Sequence, residues 1–164
     1  MLNRRILRIK AYKVLYGSVI AEGTALEQAE AQLEQACEAT RDLYVYMLSI
    51  IPALTQVAKD RIDAAKSKLR PTEEDMNPNM KFAENGMARL IAEDIDLNKL
   101  LAKKKFSWAQ YDILLKKVMT SVASREYFAQ YMASPERSLA EDCKLFTKIF
   151  EEEFDDNQDL EMIL

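Results

Sequence analysis

The sequence predicts an all-α protein, a helical bundle of about six to seven helices, and three observations carry that prediction. Three glycines and four prolines are spread over 164 residues, so turn punctuation is sparse. Ala, Leu, Glu, Lys and Gln, all good helix formers, dominate the composition. Apolar positions recur at helical spacing over most of the chain. With 49% apolar residues the chain is neither compositionally disordered nor too short for a core, and its length suits a single domain over residues 1–164.

The first helix is predicted over residues 3–20. Leu7, Ala11, Val14 and Leu15 form one apolar stripe, and Ile9, Tyr12, Tyr16 and Ile20 form another. Two stripes predict a helix gripped from two sides, central in the bundle. Gly23 is the predicted stop, and Thr24-Ala25-Leu26-Glu27 reads as a capping box opening a second helix. Its Leu26, Ala29, Leu33, Ala36 and Cys37 make a narrow small-residue stripe, and a break is expected at 40–42. A third helix follows over about 43–69, apolar all round from Leu43 to Leu48 and so expected to be deeply packed, with a kink at Pro52 and a stop at Pro71.

Residues 71–79, with two prolines and several turn formers, read as a loop. Beyond it the pattern predicts helices over 80–93, over 97–104 behind a cap at Asp96, and onward from a cap at Ser107. The stripe Trp108, Tyr111, Leu115, Val118, Met119 and Val122 marks that last helix as amphipathic. A short helix is expected over 124–132, and a final one opens near Ser134-Pro135 and Ser138 with the stripe Leu139, Cys143, Phe146, Ile149, Phe150 and Phe154. Leu160, Met162, Ile163 and Leu164 are apolar with no stop signal after them, which reads as a helix cut in mid-course, hence a fragment.

Several function classes have no support in the residues. There is no histidine, which removes His-ligated metal sites and His-based triads. No Gly-rich phosphate loop, CxxC, HExxH or GxSxG is present, and no nucleophile is set beside a base, so neither an enzyme, a cofactor site nor a metal site is expected. Cys37 and Cys143 lie on apolar stripes and are expected to be buried, reduced thiols. The most apolar run, 43–54, is too short to span a bilayer, and no targeting segment is visible. The expected location is cytoplasmic.

Charge is uneven. Arg4, Arg5, Arg8, Lys10 and Lys13 stand in the first sixteen residues with no acid, inside a chain of net charge −4 whose last fourteen residues carry seven acids and no base. Arg4, Arg5 and Arg8 fall within about 100° of arc at the start of a helix. Guanidiniums bind phosphate bidentately, and Tyr12 or Tyr16 can stack an unpaired base. On composition alone a single-stranded RNA contact, a membrane-surface helix and ordinary solvated charges all stay open. Lys103-Lys104-Lys105 is a smaller basic run, read as a solvated helix end with an auxiliary phosphate contact as the other option.

The spacing Arg4-Arg5-x-x-Arg8-x-x-Ala11-x-x-x-Leu15-Tyr16 resembles the opening helix of the NusB family of transcription antitermination factors, whose characteristic start is R-R-x-x-R-x-x-A-x-x-x-L-Y. The segment around Asp42-Leu43-Tyr44 resembles that family's third helix, and the long insertions, with the Asn77-Pro78-Asn79 loop, resemble the enlarged Bacteroidetes-type form. The resemblance is firm over the first sixteen residues and looser to about residue 70. It makes 80–164 a helical insertion and leaves the family's second half, with its V-x-I-N-E-A…F-V-N-G-V-L pattern, without a counterpart.

What the resemblance implies is a NusB-like N-terminal half with insertions, binding boxA-type RNA of ribosomal RNA leader transcripts together with NusE, a small-subunit ribosomal protein, in the RNA polymerase antitermination complex. Arg4, Arg5 and Arg8 would hold RNA phosphates, and Tyr16 would lie near the RNA or support the arginine helix. Lys10 and Tyr12 complete the candidate RNA-binding set. A chain lacking the second half is expected to expose an apolar face through which it can form a homodimer. NusB-like domains also occur fused to RNA-modifying methyltransferases. The alternative from a different class is a helical protein–protein adaptor without RNA binding, using the Trp108/Tyr111/Leu115 face or the Phe146/Phe150/Phe154 face.

Overall fold

The computed structural model describes residues 3–21, 25–155 and 157–163. Among them regular structure is helical throughout: ten α-helical segments, one 3-10 turn and one π-helical segment, with no strand. The all-α class expected from composition is thus what the chain adopts, in more and shorter helices than six to seven. None of these helices is long and apolar enough to cross a membrane. The chain divides into two compact units, Met1–Met47 and Leu48–Leu164.

The first unit holds α1 (Arg4–Ile20) and most of α2 (Leu26–Leu48). Gly23 and Thr24, the predicted stop and cap, lie outside the described residues. No residue of α1 is buried, and Leu15, Tyr16, Val19 and Ile20 are each more than half exposed. The expectation of a central, two-sided helix is therefore corrected. Periodicity counts apolar positions but not neighbours, and gripping a helix from two sides takes at least two partners, which a two-helix unit does not contain.

The expected break at 40–42 is absent as well. Thr40 turns its hydroxyl back to donate to the Ala36 carbonyl at 3.2 Å, so its side chain stays within the helix instead of ending it. Leu43 and Tyr44 are exposed, and in α2 only Ala29 and Val45 are buried, so the deep packing expected for 43–48 does not occur. Cys37 and Cys143, expected to be buried, are free thiols at half-buried positions.

The helical run is interrupted at Ser49, and α3 (Ile50–Lys66) opens the second unit. Pro52 thereby falls in the first turn of α3, where the missing N–H has no intrahelical acceptor to leave unmet. The kink expected at Pro52 becomes a helix boundary one turn ahead of it. Ser49 is itself buried, and its hydroxyl oxygen accepts the Trp108 indole N–H at 3.0 Å.

The predicted loop at 71–79 contains one helical turn, α4 (Glu73–Met76), held by a reciprocal capping box between Thr72 and Asp75. Residues 81–84 form a turn, so α5 (Gly86–Glu93) begins later than expected, with Asn85 as its cap. Asp94, not Asp96, caps α6 (Ile95–Lys104), accepting from the Leu97 N–H at 2.7 Å. Lys105 adopts φ 58° and closes that helix, so the basic run 103–105 forms a helix end, where cations suit the dipole.

After Trp108 a 3-10 turn (Ala109–Tyr111) leads into α7 (Asp112–Ser124), then α8 (Glu126–Ala133) and α9 (Leu139–Ile149). Ser138 caps α9 as expected, accepting from the Glu141 N–H. A π-helical segment (Phe150–Phe154) and one further turn, α10 (Gln158–Glu161), complete the described chain, with Leu160 buried. The core of this unit joins Ile50, Ile51 and Leu54 of α3, Leu115, Val118 and Val122 of α7, and Phe146 and Ile149 of α9. In it α3 packs against α5 and α7, and α9 packs against α5 and α8.

Candidate nucleic-acid interface

The start of α1 is built by Asn3. Its backbone is extended, and its side-chain oxygen accepts the Ile6 N–H at 2.9 Å, fixing where the helix begins. Arg4 and Arg5 are therefore the first two helical residues, with Arg8 one turn on, and all three are exposed. No acidic residue occupies that first turn. Among the described residues none of the three arginines is in an ion pair, whereas Lys81, Lys116 and Arg125 each hold a carboxylate.

Cations at a helix N-terminus oppose the macrodipole, each by roughly 0.3–1 kcal/mol. Three of them with no acid beside them cannot be explained by helix stability. They create a surface suited to an anion at the positive end of the helix dipole.

Arg4, Arg8, Tyr12 and Tyr16 follow one another at i, i+4 spacing and so form a single row along α1, with Arg5 beside its head. The Tyr12 and Tyr16 rings stack, with centroids 6.1 Å apart and planes inclined by 16°, and both side chains are well exposed. Lys10 is half-buried and lies across the helix from Arg8, about 200° round, so it does not join the row. The candidate residues thus separate into a guanidinium head, a stacked aromatic pair behind it, and one outlying lysine.

The faces considered for a protein adaptor are turned inward. Trp108, Leu115, Phe146 and Phe154 are buried, and Tyr111 and Phe150 are half-buried. A buried polar cluster that the sequence does not suggest lies in the second unit. The Lys81 ammonium donates to the Tyr131 and Ser134 carbonyls and to Glu141 at 2.8, 3.0 and 2.8 Å, and sits 4.2 Å over the Tyr131 ring.

The Tyr131 hydroxyl donates to Asp142 and accepts from Asn85, while Asp142 also accepts the Gly86 N–H at 2.8 Å. Burial, reinforced by the bond to Asp142, pushes the Tyr131 phenol well above its usual range. The hydrogen bond from Lys81 holds the Glu141 carboxyl below its usual range. All three ammonium protons of Lys81 are engaged, and the cluster braces α5, α8 and α9. Among the described residues no group of three side chains is placed to hold a metal ion.

No protein-family model, curated protein or solved structure matches the chain.

Proposed function

We propose that this chain is an RNA-binding transcription antitermination factor of NusB type, acting in the cytoplasm on boxA-type leader RNA together with NusE. The observation that carries the reading is the exposed row Arg4, Arg8, Tyr12 and Tyr16 with Arg5 at its head, free of acidic partners among the described residues. Those positions include the arginines and the closing tyrosine of the motif that resembles the NusB start. In this mechanism the guanidiniums neutralise single-strand phosphates and the outer faces of the tyrosine pair stack on bases. The resemblance supplies the boxA element and NusE; the charge and aromatic arrangement supports the single-strand RNA class.

The test is a fluorescence titration of a boxA-like RNA at two salt concentrations. Arg5→Ala/Arg8→Ala is expected to weaken binding by about 10- to 100-fold and to flatten the dependence of log K on log salt by roughly 0.7 for each phosphate no longer neutralised. Tyr12→Ala is expected to weaken binding with the salt slope unchanged, because stacking releases no counterions. Binding by the double arginine variant equal to that of the parent chain would sink the phosphate assignment.

A further inference from the structure

A polar concavity lies wholly within the second unit. It is a cleft of about 650 Å³ beside α3 and α5, lined also by Arg137 from the segment ahead of α9. That volume falls within the roughly 300–1,000 Å³ typical of small-molecule sites. Its lining includes the buried small residues Ala83 and Ala88 and the buried polar residues Thr55 and Asn85. Three cations from three separate segments line it, Lys59 of α3, Arg89 of α5 and Arg137.

The partners of these cations decide what the cleft suits. Arg137 meets Glu84 at 3.6 Å, an exposed pair worth little in water. Lys59 and Arg89 make no ion pair among the described residues, although Glu93 stands one turn beyond Arg89 on the same helix. The lining therefore offers two uncommitted cations and a weakly held third to an anion. Glu84, Glu93 and the Thr55 hydroxyl also offer acceptors to a ligand that carries hydrogen-bond donors. Charge of both signs in one cleft selects against simple apolar ligands and against bare anions alike.

We infer that this cleft binds a small organic phosphate, an anionic phosphate head joined to a body bearing hydroxyl or amino groups. Lys59 and Arg89 grip the phosphate, Arg137 swings from Glu84 to assist, and the carboxylates accept from the body. The lining shares no residue with the arginine row of α1, and the inference does not rest on the RNA reading.

Calorimetric titration of the whole chain with ADP, pyrophosphate and adenosine tests this, with single-stranded RNA as a fourth arm. Saturable one-to-one binding of ADP is expected, weaker binding of pyrophosphate, and none of adenosine. Lys59→Ala/Arg89→Ala should raise the ADP Kd at least tenfold, Arg89→Lys should restore part of it, and Arg5→Ala/Arg8→Ala should leave it unchanged. Unaltered circular dichroism separates loss of the site from loss of the fold. The inference is overturned if neither ADP nor pyrophosphate binds saturably, or if the Lys59/Arg89 variant binds ADP as well as the parent. It is equally overturned if the arginine variant of α1 abolishes ADP binding, or if the Lys59/Arg89 variant weakens RNA alone.

Discussion

Phe146→Ala is expected to remove about 3–5 kcal/mol from the stability of the second unit, a large part of the roughly 5–15 kcal/mol that holds a domain together. Phe146 is 1% exposed in the middle of α9. Its ring lies 5.9 Å from that of Phe82, which in turn meets Phe128 edge-on at 5.3 Å. Phe82 and Ile149 are fully buried beside it, so neither can move into the space a truncated side chain would leave without giving up packing of its own.

Urea unfolding followed by the fluorescence of Trp108 reads this directly. Trp108 is the sole tryptophan, is buried, and belongs to the second unit, so its signal reports on that unit. Ile113→Ala is the control: Ile113 is 85% exposed on α7, and its truncation is expected to stay within about 0.5 kcal/mol. A Phe146→Ala loss below about 1 kcal/mol, the centre of the distribution for ordinary point substitutions, would mean that the aromatic cluster is not the centre of this core.

Where apolar residues recur on one face and several neighbours exist, periodicity locates the core. Every member of the α7 stripe except Tyr111 is buried, and Phe146, Ile149 and Phe154 follow on α9 and the π-helical segment. The same reasoning misplaces α1 and the start of the third helix, because a stripe records what a helix is able to bury and not what stands against it. Cap residues are legible at α9, where Ser138, one of the two start signals Ser134-Pro135 and Ser138, is the cap. They are not where two acids compete, as at Asp94 and Asp96, since a cap is decided by backbone geometry that composition does not encode.

The candidate interface is more legible than the fold around it. Arg4, Arg5 and Arg8 are close in sequence and already imply one helix face, and the structure adds their exposure and the stacking of Tyr12 on Tyr16. Charge groups Lys10 with them, and helical geometry separates it. The polar cluster of the second unit is invisible in the sequence for the opposite reason: Lys81, Asn85, Tyr131 and Glu141 are brought together across 46 to 60 residues of chain, with no local pattern among them. Only the Asn85-Gly86 pair carries a local hint, as a cap followed by a residue whose N–H approaches Asp142.

Lys81→Met is the substitution that tests that cluster, with an expected cost of about 2–4 kcal/mol at neutral pH. Lys81 is 4% exposed, and its removal strips a donor from the Tyr131 and Ser134 carbonyls and the countercharge from Glu141. The cost should sit below that of a fully enclosed pair, because the Glu141 side chain keeps 17% exposure and water can partly replace the ammonium there.

The pH dependence identifies the mechanism. Lys81 holds the Glu141 carboxyl below its ordinary value of 4.5, so the folded state binds its proton less readily than the unfolded chain. The stabilisation is fully present above that ordinary value and drains away as the pH falls through the depressed one. The parent chain should therefore lose stability more steeply than Lys81→Met as the pH falls below Glu141's ordinary value, since in that variant Glu141 has no ammonium to meet. Asp75, held low first by the Thr72 backbone N–H and then by Lys68, adds an acid-sensitive contribution that Lys81→Met leaves in place, so the slope should lessen and not vanish. Glu141→Gln keeps the carbonyl bonds of Lys81 while removing the titrating group, and should match the shallower slope at a smaller neutral-pH cost. If Lys81→Met and the parent chain show parallel urea midpoints across that acid range, Lys81 contributes through its bonds to the Tyr131 and Ser134 carbonyls and the ion pair contributes nothing.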